Sequence, residues 1–139
     1  MKTSGIIVLI LMVLALVLAS TSTAAVQKSE PGVAVPKYDP AAEATFTGTV
    51  DEVVDRQCPV SGGMGSHLIL RLSPTKTIEV HLATTKFVKS YELVFSKNDV
   101  VTVVGVKIVF EGVETIFARE VTRGNDTFVF RDKDGKPIW

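Results

Sequence analysis

An all-β domain with one short helix, its strands arranged as a five-stranded Greek-key barrel, is the fold this sequence predicts. Three observations carry that expectation. Apolar side chains alternate with polar ones in several short runs, one stretch alone has helical spacing, and the order reads strand, strand, strand, helix, strand, strand.

The first strand is expected from Thr45 to Asp55, where β-branched residues dominate and Gly48 interrupts, as at a bend or bulge. Gln57 to Ser66 holds Pro59, Gly62, Gly63 and Gly65 and is expected to form a loop. His67 to Leu72 and Ile78 to Leu82 alternate cleanly, with Pro74-Thr75-Lys76 as the hairpin loop between them. Matching inner residues pairs Leu72 with Ile78, Leu70 with Val80 and Leu68 with Leu82. That register sets His67 opposite Ala83, diagonal to His81, with both imidazoles on an outer face.

Thr84 to Leu93 spaces Phe87, Val88 and Tyr91 as a short helix would, behind a threonine able to cap it. Val100 to Phe110 and Val113 to Val121 are β-rich and join at Glu111-Gly112, a hairpin signal. A last short strand is expected at Thr127 to Phe130. A helix between the third and fourth strands is the arrangement of the OB-fold, so the barrel is expected to be OB-like. The interior should hold Leu68, Leu70, Leu72, Ile78, Val80, Leu82, Val101, Val103 and Ile116.

The N-terminal end reads differently. Lys2 precedes an unbroken apolar run from Ile6 to Leu18, and small residues follow from Ala19 to Ala25. This is the three-part pattern of a cleavable secretory signal, and the run falls short of the roughly 20 residues that span a bilayer. Residues 1–24 are therefore expected to be a signal peptide, 25–43 a proline-rich flexible linker, and 44–139 the barrel domain. The mature protein is expected in the periplasm or secreted, with no membrane span after signal cleavage.

Composition excludes several function classes. The chain has 15 Lys+Arg and 15 Asp+Glu, so it lacks the basic excess of a phosphate-tracking domain, and its aromatics are scattered rather than gathered on one strand. Nucleic acid is thus not the expected partner, although an OB-like architecture keeps it as an alternative by analogy. One cysteine, Cys58, permits no internal disulfide. The sequence contains no nucleophile elbow, no His-Glu-x-x-His pair and no phosphate loop, so no enzyme activity is expected.

Several pieces carry a resemblance. They are Phe46-x-Gly48-x-Val50, Gly62-Gly63-x-Gly65-x-His67-Leu68, Val80-His81-Leu82, Ala118-Arg119-Glu120-Val121, and Arg131-Asp132-x-x-Gly135-x-Pro137-x-Trp139. Together they resemble the domain shared by the MamS and MamX magnetosome proteins, from about Phe46 to Trp139. The resemblance implies a periplasmic accessory or binding domain. The Cys-x-x-Cys-His haem motif of redox-active relatives is absent, because Pro59, Val60 and Ser61 follow Cys58.

The candidate site is the segment from Cys58 to His67. Gly62, Gly63 and Gly65 allow backbone N–H groups to approach a ligand closely, or they serve only a tight turn. With His67 and His81 they form the expected ligand-binding set. Cys58, His67 and His81 offer one sulfur and two nitrogens, a set suited to copper or zinc, with Met64 as an added thioether that tilts toward copper. Against this, exposed histidines on a sheet are common and a lone cysteine is often packing. The leading expectation is a non-enzymatic binding or accessory module that needs no cofactor, with a small ligand or protein partner at this face of an OB-like barrel. The alternatives are an OB-fold nucleic-acid binder and a small periplasmic Cu or Zn carrier.

Overall fold

A computed structural model describes residues 34–92 and 95–139. The expected signal peptide, 1–24, and the linker as far as residue 33 lie outside the described residues.

β1 (Glu43–Cys58) is long enough to serve two partners. Its first half pairs with β4 (Val100–Phe110), and its second half with β2 (Gly63–Ser73), both antiparallel. The change of partner falls where Gly48 and a bulge between Val50 and Glu52 bend the strand. A Cβ on Gly48 would stand 2.5 Å from the Arg71 carbonyl oxygen, so only glycine lets β2 lie this close.

β3 (Lys76–Thr84) follows β2 through a tight hairpin, then α1 (Thr85–Ser90), capped by the Thr84 hydroxyl accepting from the Phe87 amide at 3.2 Å. β4 and β5 (Val113–Arg123) join at Glu111-Gly112, both at positive φ, 51° and 78°, as the tightest hairpin turns require. β6 (Asp126–Val129) ends the run.

The five-stranded OB-like Greek-key barrel is corrected by this pairing. Six strands form one sheet in the order β3-β2-β1-β4-β5-β6, each antiparallel to its neighbours. β3 also runs parallel to β5 over Glu79–Thr115, Val80–Ile116 and His81–Phe117. The physical reason for the sixth strand is local. After the turn at Gly124, Asp126 to Val129 pairs back onto β5, with Phe128 opposite Val121. The domain is accordingly a six-stranded sheet with one short helix, and a function that depends on an OB-fold or β-barrel does not carry over to it.

The expected inner residues are buried, with Leu68, Leu70, Val80 and Ile116 wholly so, and only Leu72 packs from the margin. The β2–β3 register differs from the expected one by two residues, Leu70 facing Ile78 and Leu68 facing Val80. A slip of two leaves every side chain on its own face, which is why the core residues were legible despite it. A second apolar cluster forms around Tyr38, Val106, Phe110 and Phe117.

Candidate metal centre

The segment expected to be a loop is mostly strand. Only Pro59 to Gly62 turns, with Gly62 at φ 67°, and β2 begins at Gly63 opposite Cys58. This places Cys58 as the last residue of β1. Gly62 is exposed and Gly63 half-buried at the rim, whereas Gly65 is buried inside the hairpin. A Cβ on Gly65 would collide with the Ser61 hydroxyl and reach 3.1 Å from the Cys58 Cβ, so this glycine makes room for the cysteine. Met64 is exposed and faces Gln57 across the strand pair, apart from the buried residues.

His67 and His81 are not on an exposed face. A bulge between Ser66 and His67 shifts the pairing so that the two histidines sit directly opposite, with ring centroids 4.5 Å apart. They are 0% and 4% exposed, and Cys58 is 4% exposed. The cover comes from Phe110 and Phe117, whose rings lie 5.9 and 5.1 Å from that of His81. Exposure was expected because alternation gives the face of a residue but not what packs upon it.

Three donors converge here. Cys58 Sγ lies 3.4 Å from His81 Nδ1, and the ligand atoms of Cys58, His67 and His81 are all within 4.8 Å of one another. Around a tetrahedral or trigonal ion with metal–sulfur bonds of ~2.3 Å and metal–nitrogen bonds of ~2.0 Å, such atoms stand about 3.3–3.7 Å apart. One edge already has that length, and the other two are no longer than 4.8 Å.

Both nitrogens of His67 and Nε2 of His81 are buried without a hydrogen-bond partner. Leaving such a group unsatisfied costs about 1–3 kcal/mol, so a ligand that engages these nitrogens would be stabilised here. Burial lowers the pKa of His67 and drives that of His81 down to about 3, with His67, Arg56 and Arg131 adding to the second shift. Both rings are therefore neutral near pH 7 and present free lone pairs, the state a metal requires.

Glu79 is the residue sequence reasoning missed. Its Oε1 lies 3.8 Å from His67 Nδ1 and 3.9 Å from His81 Nε2, and it accepts from Arg56 Nε at 3.0 Å and from Arg56 Nη2. The available signal was its position two residues before His81 on an alternating strand, hence on the same face. A pocket of about 320 Å³ lined by Gln57, Cys58, Pro59, Gly62 and Gly63 opens beside the cysteine.

A small antiparallel sheet domain with one buried sulfur–imidazole cluster is thus the class defined by fold and site. The model of the MamS/MamX magnetosome protein family matches residues 42–128, and the chain belongs to that family. The matched span includes Cys58, His67, Glu79 and His81. The non-enzymatic character stands with this membership. No curated protein matches the chain.

Proposed function

We propose that this protein is a small exported metal carrier, holding one copper or zinc ion through Cys58 Sγ and one nitrogen each of His67 and His81. The observation that carries the reading is the convergence of a thiol and two neutral imidazoles in a buried cluster where three ring nitrogens meet the distance and angle of a hydrogen bond with none of the described residues. One soft sulfur and two nitrogens select copper or zinc over hard cations. The pocket at Cys58, rimmed by Gly62 and Gly63, is the access route. In this reading Gly65 seats the cysteine.

Export through a signal at 1–24 is part of the proposal and places the carrier in the periplasm or outside the cell. Among the described residues no helix is long and apolar enough to cross a membrane. A protein that donates or receives the ion is the partner this function requires. An oligonucleotide is not favoured, because Arg56, Arg71 and Arg119 are engaged with Glu79, Asp51 and Glu43.

Titration of chelator-treated protein with Cu(I) or Zn(II) against a chromophoric competitor tests the reading. One equivalent is expected to bind the wild type, and Cys58→Ala is expected to abolish that uptake. A wild type that takes up neither ion overturns the proposal.

A further inference from the structure

Glu79 is a charged side chain that lies within 4 Å of both imidazoles, and its place in the sheet explains how. On β3 it precedes His81 by two residues, and across the pair it faces Ile69, the residue two beyond His67. A single oxygen, Oε1, is the atom nearest both rings, and the same oxygen is gripped by two nitrogens of Arg56 from β1. The Glu79 side chain is only 16% exposed, so Arg56, rather than water, anchors it.

The two rings turn different nitrogens toward that oxygen, Nδ1 from His67 and Nε2 from His81. Cys58 Sγ lies 3.4 Å from His81 Nδ1, and with the thiol as donor in that contact the proton of a neutral ring falls on Nε2, the nitrogen beside Glu79. On His67, the nitrogen turned away from Glu79 is Nε2, buried and unpartnered.

We infer that Glu79, held by Arg56, is the positioning residue of this centre: it takes the proton-bearing nitrogen of each imidazole and so presents His67 Nε2 and His81 Nδ1, with Cys58 Sγ, to one metal ion. The inference rests on the metal-carrier reading and adds the tautomer of each ligand. The present distances exceed a charge-assisted hydrogen bond by about 1 Å. The rotation that draws the three donors onto an ion is the motion that brings each opposite N–H to the carboxylate. A ligating histidine that gives its other N–H to a carboxylate is fixed in orientation and made a better base, and loss of such a partner lowers metal affinity about 10–100-fold.

Two measurements on the whole mature protein decide the matter, with Cu(I) as the probe. Competition titration should show a 10–100-fold loss of affinity in Glu79→Ala, with part of the loss recovered in Glu79→Gln, which keeps an acceptor oxygen. Melting in chelator should change little in either variant, which a merely structural role would not allow. In the Cu(I)-loaded wild type, imidazole ¹⁵N spectra should show the metal on Nε2 of His67 and Nδ1 of His81, with the other nitrogens protonated. The opposite nitrogens on the metal would overturn the inference whatever the variants do, and so would Glu79→Ala binding as tightly as wild type; the carrier reading survives either result. A wild type that binds no metal brings down both. If the Glu79 variants fail to fold, the wild-type spectra decide alone.

Discussion

His67 and His81 face each other across β2 and β3 with ring planes at 72°, buried together and poorly supplied with hydrogen bonds. Such a pair costs stability unless something occupies its lone pairs. Replacing both by apolar residues of similar size, His67→Leu with His81→Phe, should therefore leave the metal-free protein as stable as wild type or raise its stability by about 1–3 kcal/mol. Metal uptake should vanish. Urea melts in chelator check the first half, and a clear destabilisation of the double variant would mean that the histidines are structural after all.

Acid should weaken the metal-free fold through the same pair. His81 is held near pKa 3 in the folded chain, against about 6.5 when unfolded. Between those values the unfolded chain binds a proton that the folded chain refuses, so stability falls as pH drops from ~6.5 and levels off near ~3. The slope reaches about 1.4 kcal/mol per pH unit, and His67, also lowered, adds in the same direction. Melts in chelator at pH 7, 6, 5 and 4 should show a flatter profile for His81→Phe than for wild type. Parallel profiles would contradict the assignment.

Gly65 seats the cysteine, and that role separates from general packing. Gly65→Ala should push against Ser61 and Cys58 and weaken metal binding about tenfold, roughly what a displaced ligand or its support costs. Gly63→Ala is the control, because an added Cβ there meets nothing within 4 Å. Equal affinities for the two variants would show that Gly65 does not position Cys58.

Alternation along a strand is a local property, and what it encodes was readable. Leu68, Leu70, Val80 and Leu82 fell on the core face, and a register error of two residues could not move them off it. The clustering of Cys58, His67 and His81 was readable for the same reason, since a hairpin brings its own residues together. Their burial was not. The cover is Phe110 and Phe117, whose approach depends on the β3–β5 pairing between residues 36 apart, as His81 and Phe117 are. The last short strand, expected at Thr127 to Phe130 and found at Asp126 to Val129, was readable too, but four residues carry too little pattern to reveal which strand they pair with. Tyr38, in the proline-rich segment read as linker, is buried against Arg131, with the guanidinium carbon 5.1 Å from its ring centre.

Glu43 and Arg119 tie the start of β1 to β5 across 76 residues of chain, and this pair makes the last prediction. Arg119 Nε and Nη2 donate to the two carboxylate oxygens at 2.6 and 3.2 Å, and the Tyr38 hydroxyl donates to Oε1 at 2.6 Å. The Arg119 hydrogen bonds, with that from Tyr38, hold the Glu43 carboxyl below its ordinary pKa. The sign follows. A carboxyl whose folded pKa is depressed contributes stability that is present above its unfolded pKa of ~4.3 and is lost as pH falls through the lower folded value. Both side chains remain partly exposed, so the bidentate pair is worth about 1 kcal/mol rather than the several of a buried one. Glu43→Gln should cost about that much at pH 7 and nothing once the wild-type carboxyl is protonated. A double-mutant cycle of Glu43→Gln with Arg119→Met should return a coupling of the same size at neutral pH that disappears in acid, and a coupling unchanged by pH would show that the ionised carboxylate is not what joins the two strands.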